Sequence, residues 1–160
     1  MRLRDLSILL VFLATPALSD PLADMAGDWT GSGTAREAPG SAVESVRCRM
    51  SNEWQADRGR LRVRGRCAVP GRTFEIDGAL KHEDGDRLSG FWRNPDGPGQ
   101  TSVGGRVSGD TVRFAFSAKD PGTGRDLSQV VTLQLGAQGL RFSARSRADD
   151  SVMADIAFRN

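Results

Sequence analysis

The chain has 160 residues, which at roughly 150 residues per domain leaves room for one domain. Hydrophobic residues make up 38% and charged residues 26%, a balance that excludes a disordered polyelectrolyte and a protein with several membrane spans. Lys and Arg number 22 against 20 Asp and Glu; the formal net charge of +2 argues against bulk attraction to nucleic acid but leaves room for a local patch.

Arg2 and Arg4 precede an apolar run from Leu6 to Ala14, followed by Pro16 and the small-residue pattern Ala17-Leu18-Ser19. This is the layout of a secretory signal peptide. Residues 1–19 are therefore expected to be removed, leaving 20–160 as a single exported domain, periplasmic or secreted. The apolar run is about nine residues where a bilayer needs about 20, so no membrane span is expected. Asp20-Pro21 can cap one short helical turn reaching Ala26.

Export places the only two cysteines in an oxidising compartment, where Cys48 and Cys67 read as one disulfide. Val46, Cys48 and Met50 alternate with Arg47 and Arg49, while Leu61, Val63, Gly65 and Cys67 alternate with Arg60, Arg62, Arg64 and Arg66. These are two amphipathic strands, and a hairpin turning at Asp57-Arg58 beside Gly59 sets Cys48 directly opposite Cys67. A metal or redox pair is the rival reading, but there is no CxxC and no nearby His.

The same two-residue period continues between turn signals. It predicts an all-β protein of about ten antiparallel strands, beginning near Asp28, Ser45, Arg60, Arg72, Arg87, Thr101, Thr111, Leu127, Gly139 and Val152. Turn chemistry sets the registers. A turn at Pro70-Gly71 pairs Cys67 with Phe74, Gly65 with Ile76 and Leu61 with Leu80. A loop Glu83-Asp84-Gly85 pairs Leu80 with Leu88 and Ile76 with Trp92, and Gly109-Asp110 pairs Val107 with Val112 and Gly105 with Phe114. An up-and-down meander closed into a barrel leaves no exposed edge, and a sandwich is the alternative.

Gly27-Asp28-Trp29-Thr30-Gly31-Ser32-Gly33 resembles the GxW opening of calycin-type barrels, the lipocalins and fatty-acid-binding proteins, and above all the GxWxGxG start of nitrobindin-like barrels. The chain is also similar to uncharacterised small exported bacterial proteins through its Arg47-Cys48-Arg49 segment, its Gly65-Arg66-Cys67-Ala68 segment and the stretch from Gly90 to Gly97. The calycin resemblance implies that Trp29 plugs one barrel end with Arg145 or Arg159 stacked on it, a structural role. The nitrobindin pattern also implies haem on a late-strand His. This chain departs from it, because its only His is His82, early in the chain, beside a turn and expected to be solvated.

Material for catalysis is sparse: there is no Tyr, one His, two Lys and no expected free thiol. No GxSxG, HExxH, Walker A or GxGxxG occurs, and Glu83, Asp84 and Asp86 lack the spacing of a calcium loop. Asp149-Asp150 and Asp155 are the carboxylates that could form an acid/base pair, though nothing in their spacing requires it. No enzyme activity, cofactor or metal is expected, and the chain is expected to be a monomer.

Two features point to binding. Arg47, Arg49, Arg60, Arg62, Arg64 and Arg66 form a basic stripe on one hairpin face, partly offset if Arg66 meets Glu75, Arg64 meets Asp77 and Arg62 meets Glu53 across strands. Glycines 31, 33, 65, 78, 90 and 105 fall in the apolar phase of their strands, where they either help bent strands close a small barrel or leave interior volume. In a cavity the walls would be Phe74, Ile76, Trp92 and Val103 from the middle strands and Phe114, Phe116, Leu133 and Phe142 from the later ones. The function expected is an exported barrel holding a small apolar ligand in its interior. The alternative is an extracytoplasmic protein-interaction or inhibitor module using the arginine face or the loop from Asn94 to Gln100.

Overall fold

The computed structural model describes residues 20–94, 99–119, 124 and 126–160. The expected signal segment and the 95–98 part of the proposed docking loop lie outside the described residues.

Asp20 opens the chain as a helix cap: its Oδ1 accepts the Leu22 N–H at 2.9 Å, and Pro21 begins a single turn, α1 (Pro21–Asp24). Ten strands follow: β1 (Gly27–Ala35), β2 (Glu44–Gln55), β3 (Arg60–Val69), β4 (Arg72–His82), β5 (Arg87–Asn94), β6 (Gly99–Ser108), β7 (Thr111–Lys119), β8 (Asp126–Gly136), β9 (Gly139–Ser146) and β10 (Val152–Arg159). Each begins within two residues of its expected start. Neighbours pair antiparallel in chain order and β10 returns to β1, so the sheet closes into a barrel and no strand edge is left open.

The alternation in β2 and β3 has the expected result: Val46, Cys48, Met50, Leu61, Val63 and Cys67 are buried, while Arg47, Arg49, Arg64 and Arg66 are exposed. Cys48 pairs with Cys67 in the β2–β3 register, and the two are joined by a disulfide at a Cα–Cα distance of 4.1 Å. The registers across Pro70-Gly71 and Gly109-Asp110 are as expected.

The β4–β5 register is not. Leu80 pairs with Gly90, Gly78 with Trp92 and His82 with Leu88, two residues from the expected alignment. The loop is centred on Gly85, which takes φ +73°, and Glu83 N–H donates to the Arg87 carbonyl at 2.8 Å to close it. A shift of two preserves the side-chain phase, so every inward residue remains inward.

The inward glycines mark close approach of neighbouring chain. A Cβ at Gly33 would lie 2.0 Å from the Asp155 carbonyl oxygen, one at Gly31 2.4 Å from Phe158 Cδ1, and one at Gly78 2.6 Å from Trp92 Cε3. Phe158 covers Gly31, Trp92 covers Gly78 and the β10 backbone lies against Gly33, so the strands coil tightly, as closure of a small barrel requires. Trp92 in turn packs against Phe114 and Phe142, at centroid distances of 5.4 and 6.3 Å.

α1 closes one end of the barrel. Leu22 and Met25 are fully buried, and the Met25 carbonyl accepts from Trp29 Nε1 at 3.2 Å and Asn52 Nδ2 at 3.0 Å. No helix among the described residues is long and apolar enough to cross a membrane. The outward residues of β1 to β3 are mostly Arg, Ser, Thr and Asp, the reverse of the apolar exterior of a membrane barrel.

Candidate functional site

Sheet registers place the outward side chains of the first strands in rows. One row runs Arg159, Thr30, Arg49, Arg66, Glu75 across β10, β1, β2, β3 and β4. The next, one strand repeat away, runs Ala157, Ser32, Arg47, Ala68, Thr73. Long arginines therefore stand beside short side chains. Between them lies an open groove of about 730 Å³ whose lining includes Thr30, Ser32, Arg47, Arg49, Arg66 and Arg159 and no carboxylate. A second groove of about 830 Å³ shares Thr30, Arg49 and Arg159 and continues to Arg62, Arg64 and Arg93, with Asp28, Glu75 and Asp77 along it.

The six-arginine stripe divides in two. Arg60 and Arg62 are tied down: Arg60 Nε donates to Gln55 Oε1 at 2.6 Å, while Arg62 donates to the Gly78 carbonyl, pairs with Asp77 and lies 5.4 Å over the Phe91 ring. Arg47, Arg49 and Arg64 make no ion pair among the described residues, and the only partner of Arg66 there is the Thr73 hydroxyl at 3.4 Å. The expected neutralisation is corrected accordingly. Arg62 meets Asp77 in place of Glu53, and Arg66 and Glu75 sit opposite without an ion pair. Arg64 loses Asp77 because the two carboxylate oxygens of that buried residue are already taken by Arg62 and Arg93.

Elsewhere on the barrel several arginines meet carboxylates, while Arg36, Arg87, Arg113 and Arg147 make no ion pair among the described residues. Arg141 grips Asp155 through two bonds of 2.9 and 2.6 Å, Arg145 grips Asp150 at 2.8 and 3.0 Å, and Arg106 meets Asp86 at 2.5 Å. These guanidinium groups hold the Asp150 and Asp86 carboxyls below the usual carboxylate range. The Ser151 hydroxyl, with Ser146, does the same for Asp149, and the Ser89 hydroxyl, with Lys81, for Glu83. The Asp149-Asp150 and Asp155 carboxylates are thus engaged with Arg and Ser partners.

The remaining expected residues lie as follows. Trp29 is buried and its Nε1 donates to the Met25 carbonyl, and neither expected arginine stacks on it among the described contacts. Arg145 lies near the far end of β9, held by Asp150, and Arg159 stands on the outer face beside Thr30. His82 is not a freely solvated residue: Nδ1 lies 3.2 Å from Asp20 Oδ2 and Nε2 2.8 Å from the Gly85 carbonyl, which ties the β4–β5 loop to the cap of α1. Of the cavity candidates, Trp92, Val103, Phe114, Leu133 and Phe142 are buried in one packed core, and Phe74, Ile76 and Phe116 are partly buried against it. The sequence reading missed the placement of Arg159 beside the hairpin arginines. No turn joins β1 to β10, so only closure of the barrel reveals it.

No family model matches the chain, and no curated protein matches it.

Proposed function

We propose that the protein is an exported, non-enzymatic barrel of calycin-like type, periplasmic or secreted, that serves as an interaction module by docking an anionic partner on its arginine face. The observation that carries this reading is the cluster of Arg47, Arg49, Arg66 and Arg159 around a groove with no carboxylate in its lining among the described residues, whereas Arg62, Arg72, Arg93, Arg106, Arg141 and Arg145 pair with acids. Like charges held this close repel one another in the isolated molecule, and an anionic partner relieves that repulsion. The disulfide and the signal-like opening support an oxidising compartment.

Retention on an anionic matrix tests the proposal. Arg49→Glu with Arg66→Glu removes retention, whereas Arg58→Glu with Arg113→Glu changes net charge equally and leaves most of it. Equal loss in both pairs would reduce the effect to net charge and overturn the reading.

A second reading, a small apolar ligand in the interior, draws support from the partial exposure of Phe74, Ile76 and Phe116. The buried Trp92, Phe114 and Phe142 cluster fills the space deeper in, so such a ligand would sit shallowly. Saturable binding of an apolar fluorescent probe, weakened by Phe116→Ala, would favour it.

A further inference from the structure

Resting on the reading above that the arginine face binds an anion, we infer that the ground over Thr30 is a site for a soluble phosphate monoester outside the cytoplasm. Arg49 and Arg159 are the two cross-strand neighbours of Thr30, one on each side, so their backbones stand about 10 Å apart and their guanidinium groups can close on one anion between them. Thr30 and Ser32 project their exposed hydroxyls from the same strand, and neither is hydrogen-bonded among the described residues. Arg47 lies one strand repeat from Arg49, about 7 Å along β2, and Arg66 lies directly opposite Arg49, which prepares a second anionic position beside the first.

The number and direction of donors select the ligand. A carboxylate presents two oxygens in one plane and one negative charge, enough for one guanidinium fork or for sharing between two arginines, as Asp77 is shared by Arg62 and Arg93. A tetrahedral phosphate monoester presents three acceptor oxygens and up to about two negative charges, and it can take forks from both sides together with a hydroxyl from below. Among the described residues no carboxylate lines the groove on the Ser32 and Arg47 side, and Asp28, Glu75 and Asp77 stand along the adjoining groove on the other.

The surroundings favour a soluble ligand. The large hydrophobic residues that stand exposed among the described residues are Val43 and Val152, and neither lines the groove. A protein interface centred here would lack the aromatic or aliphatic anchor on which such interfaces depend, and a lipid surface would find no apolar wedge to bury.

Inorganic pyrophosphate serves as the probe, read by amide chemical shifts and by calorimetry on the full exported domain, with citrate as the carboxylate comparison. The expected result is saturable binding with shifts centred on residues 30–32, 47–49, 66 and 157–159. Arg49→Ala or Arg159→Ala should weaken it about tenfold or more, as loss of a charge-assisted bond requires, and Arg113→Ala should leave it unchanged. Arg49→Lys keeps the charge without the fork and should fall between. Equal affinity for citrate would overturn the phosphate assignment while leaving the anion-binding reading intact. Shifts spread evenly over all exposed arginines would overturn it as well. Binding to phosphatidylglycerol vesicles, but not to phosphatidylcholine vesicles, more tightly than to pyrophosphate would move the source to a membrane and overturn the soluble ligand.

Discussion

Gly33→Ala probes the barrel seam directly. The new Cβ would sit 2.0 Å from the Asp155 carbonyl oxygen and 2.8 Å from Ile156 Cα, both backbone atoms that no rotamer change can move. To reach the 3.4 Å at which ordinary contact begins, β10 must retreat by about 1.4 Å, and the pairing of Gly33 with Ile156 opens. Overpacking costs about 1–3 kcal/mol, and each weakened ladder bond adds about 0.5–1.5 kcal/mol. With one such bond weakened the sum is about 1.5–4.5 kcal/mol, or a fall in Tm of about 5–15 °C. Gly104→Ala on β6 is the comparison: nothing lies within 4 Å of its Cβ, and the substitution should stabilise by about 0.5 kcal/mol. Urea unfolding of both variants, with circular dichroism as the readout, measures the difference. If Gly33→Ala matched the wild type within 0.5 kcal/mol, about the scatter of an innocuous surface change, the seam would have room and the interior-ligand reading would gain.

Three further outcomes follow from particular contacts. Replacing Cys48 and Cys67 together with Ser frees a loop of 19 residues and should cost about 3 kcal/mol, seen as a lower urea midpoint. Asn52→Asp should cost about 3–5 kcal/mol at neutral pH because it buries an unpaired charge, whereas Asn52→Leu should cost far less, since Asn52 Oδ1 is already buried without a partner and Trp29 still serves the Met25 carbonyl. The Asp150 carboxyl is depressed in the folded state by Arg145, so its contribution is present above the unfolded-state carboxylate pKa and is lost as pH falls through the lower folded value. Asp150→Asn keeps a residue that tolerates the φ of 57° there and should flatten the acid limb of the stability–pH curve, measured by thermal melts between neutral and strongly acidic pH.

Much of this architecture was legible because side-chain phase and turn chemistry are local. Pro70-Gly71 and Gly109-Asp110 each fixed a register, and Cys48 fell opposite Cys67 through an equally local hairpin. The β4–β5 loop was misread because Gly85 can serve either as the last loop residue or as its centre, and both choices keep the same phase. The site was less legible for two physical reasons. Ion pairs form along diagonals as well as directly across strands, so Asp77 pairs with Arg62 and Arg93 and leaves Arg64 without an ion-pair partner among the described residues. The meeting of Arg159 with Thr30 and Arg49 depends on the closing pair of strands, which are separated by almost the whole domain. The staple of Trp29 and Asn52 on the Met25 carbonyl is likewise invisible until the strands are placed.

The central claim is that the arginine face is occupied where the protein works. Covalent arginine labelling with phenylglyoxal, read by mass spectrometry, can compare the protein in its native compartment with the purified chain. The account predicts that Arg47, Arg49, Arg66 and Arg159 are protected in the compartment and labelled after purification, while Arg58 and Arg113 label equally in both. Equal labelling of all six in both settings would contradict it.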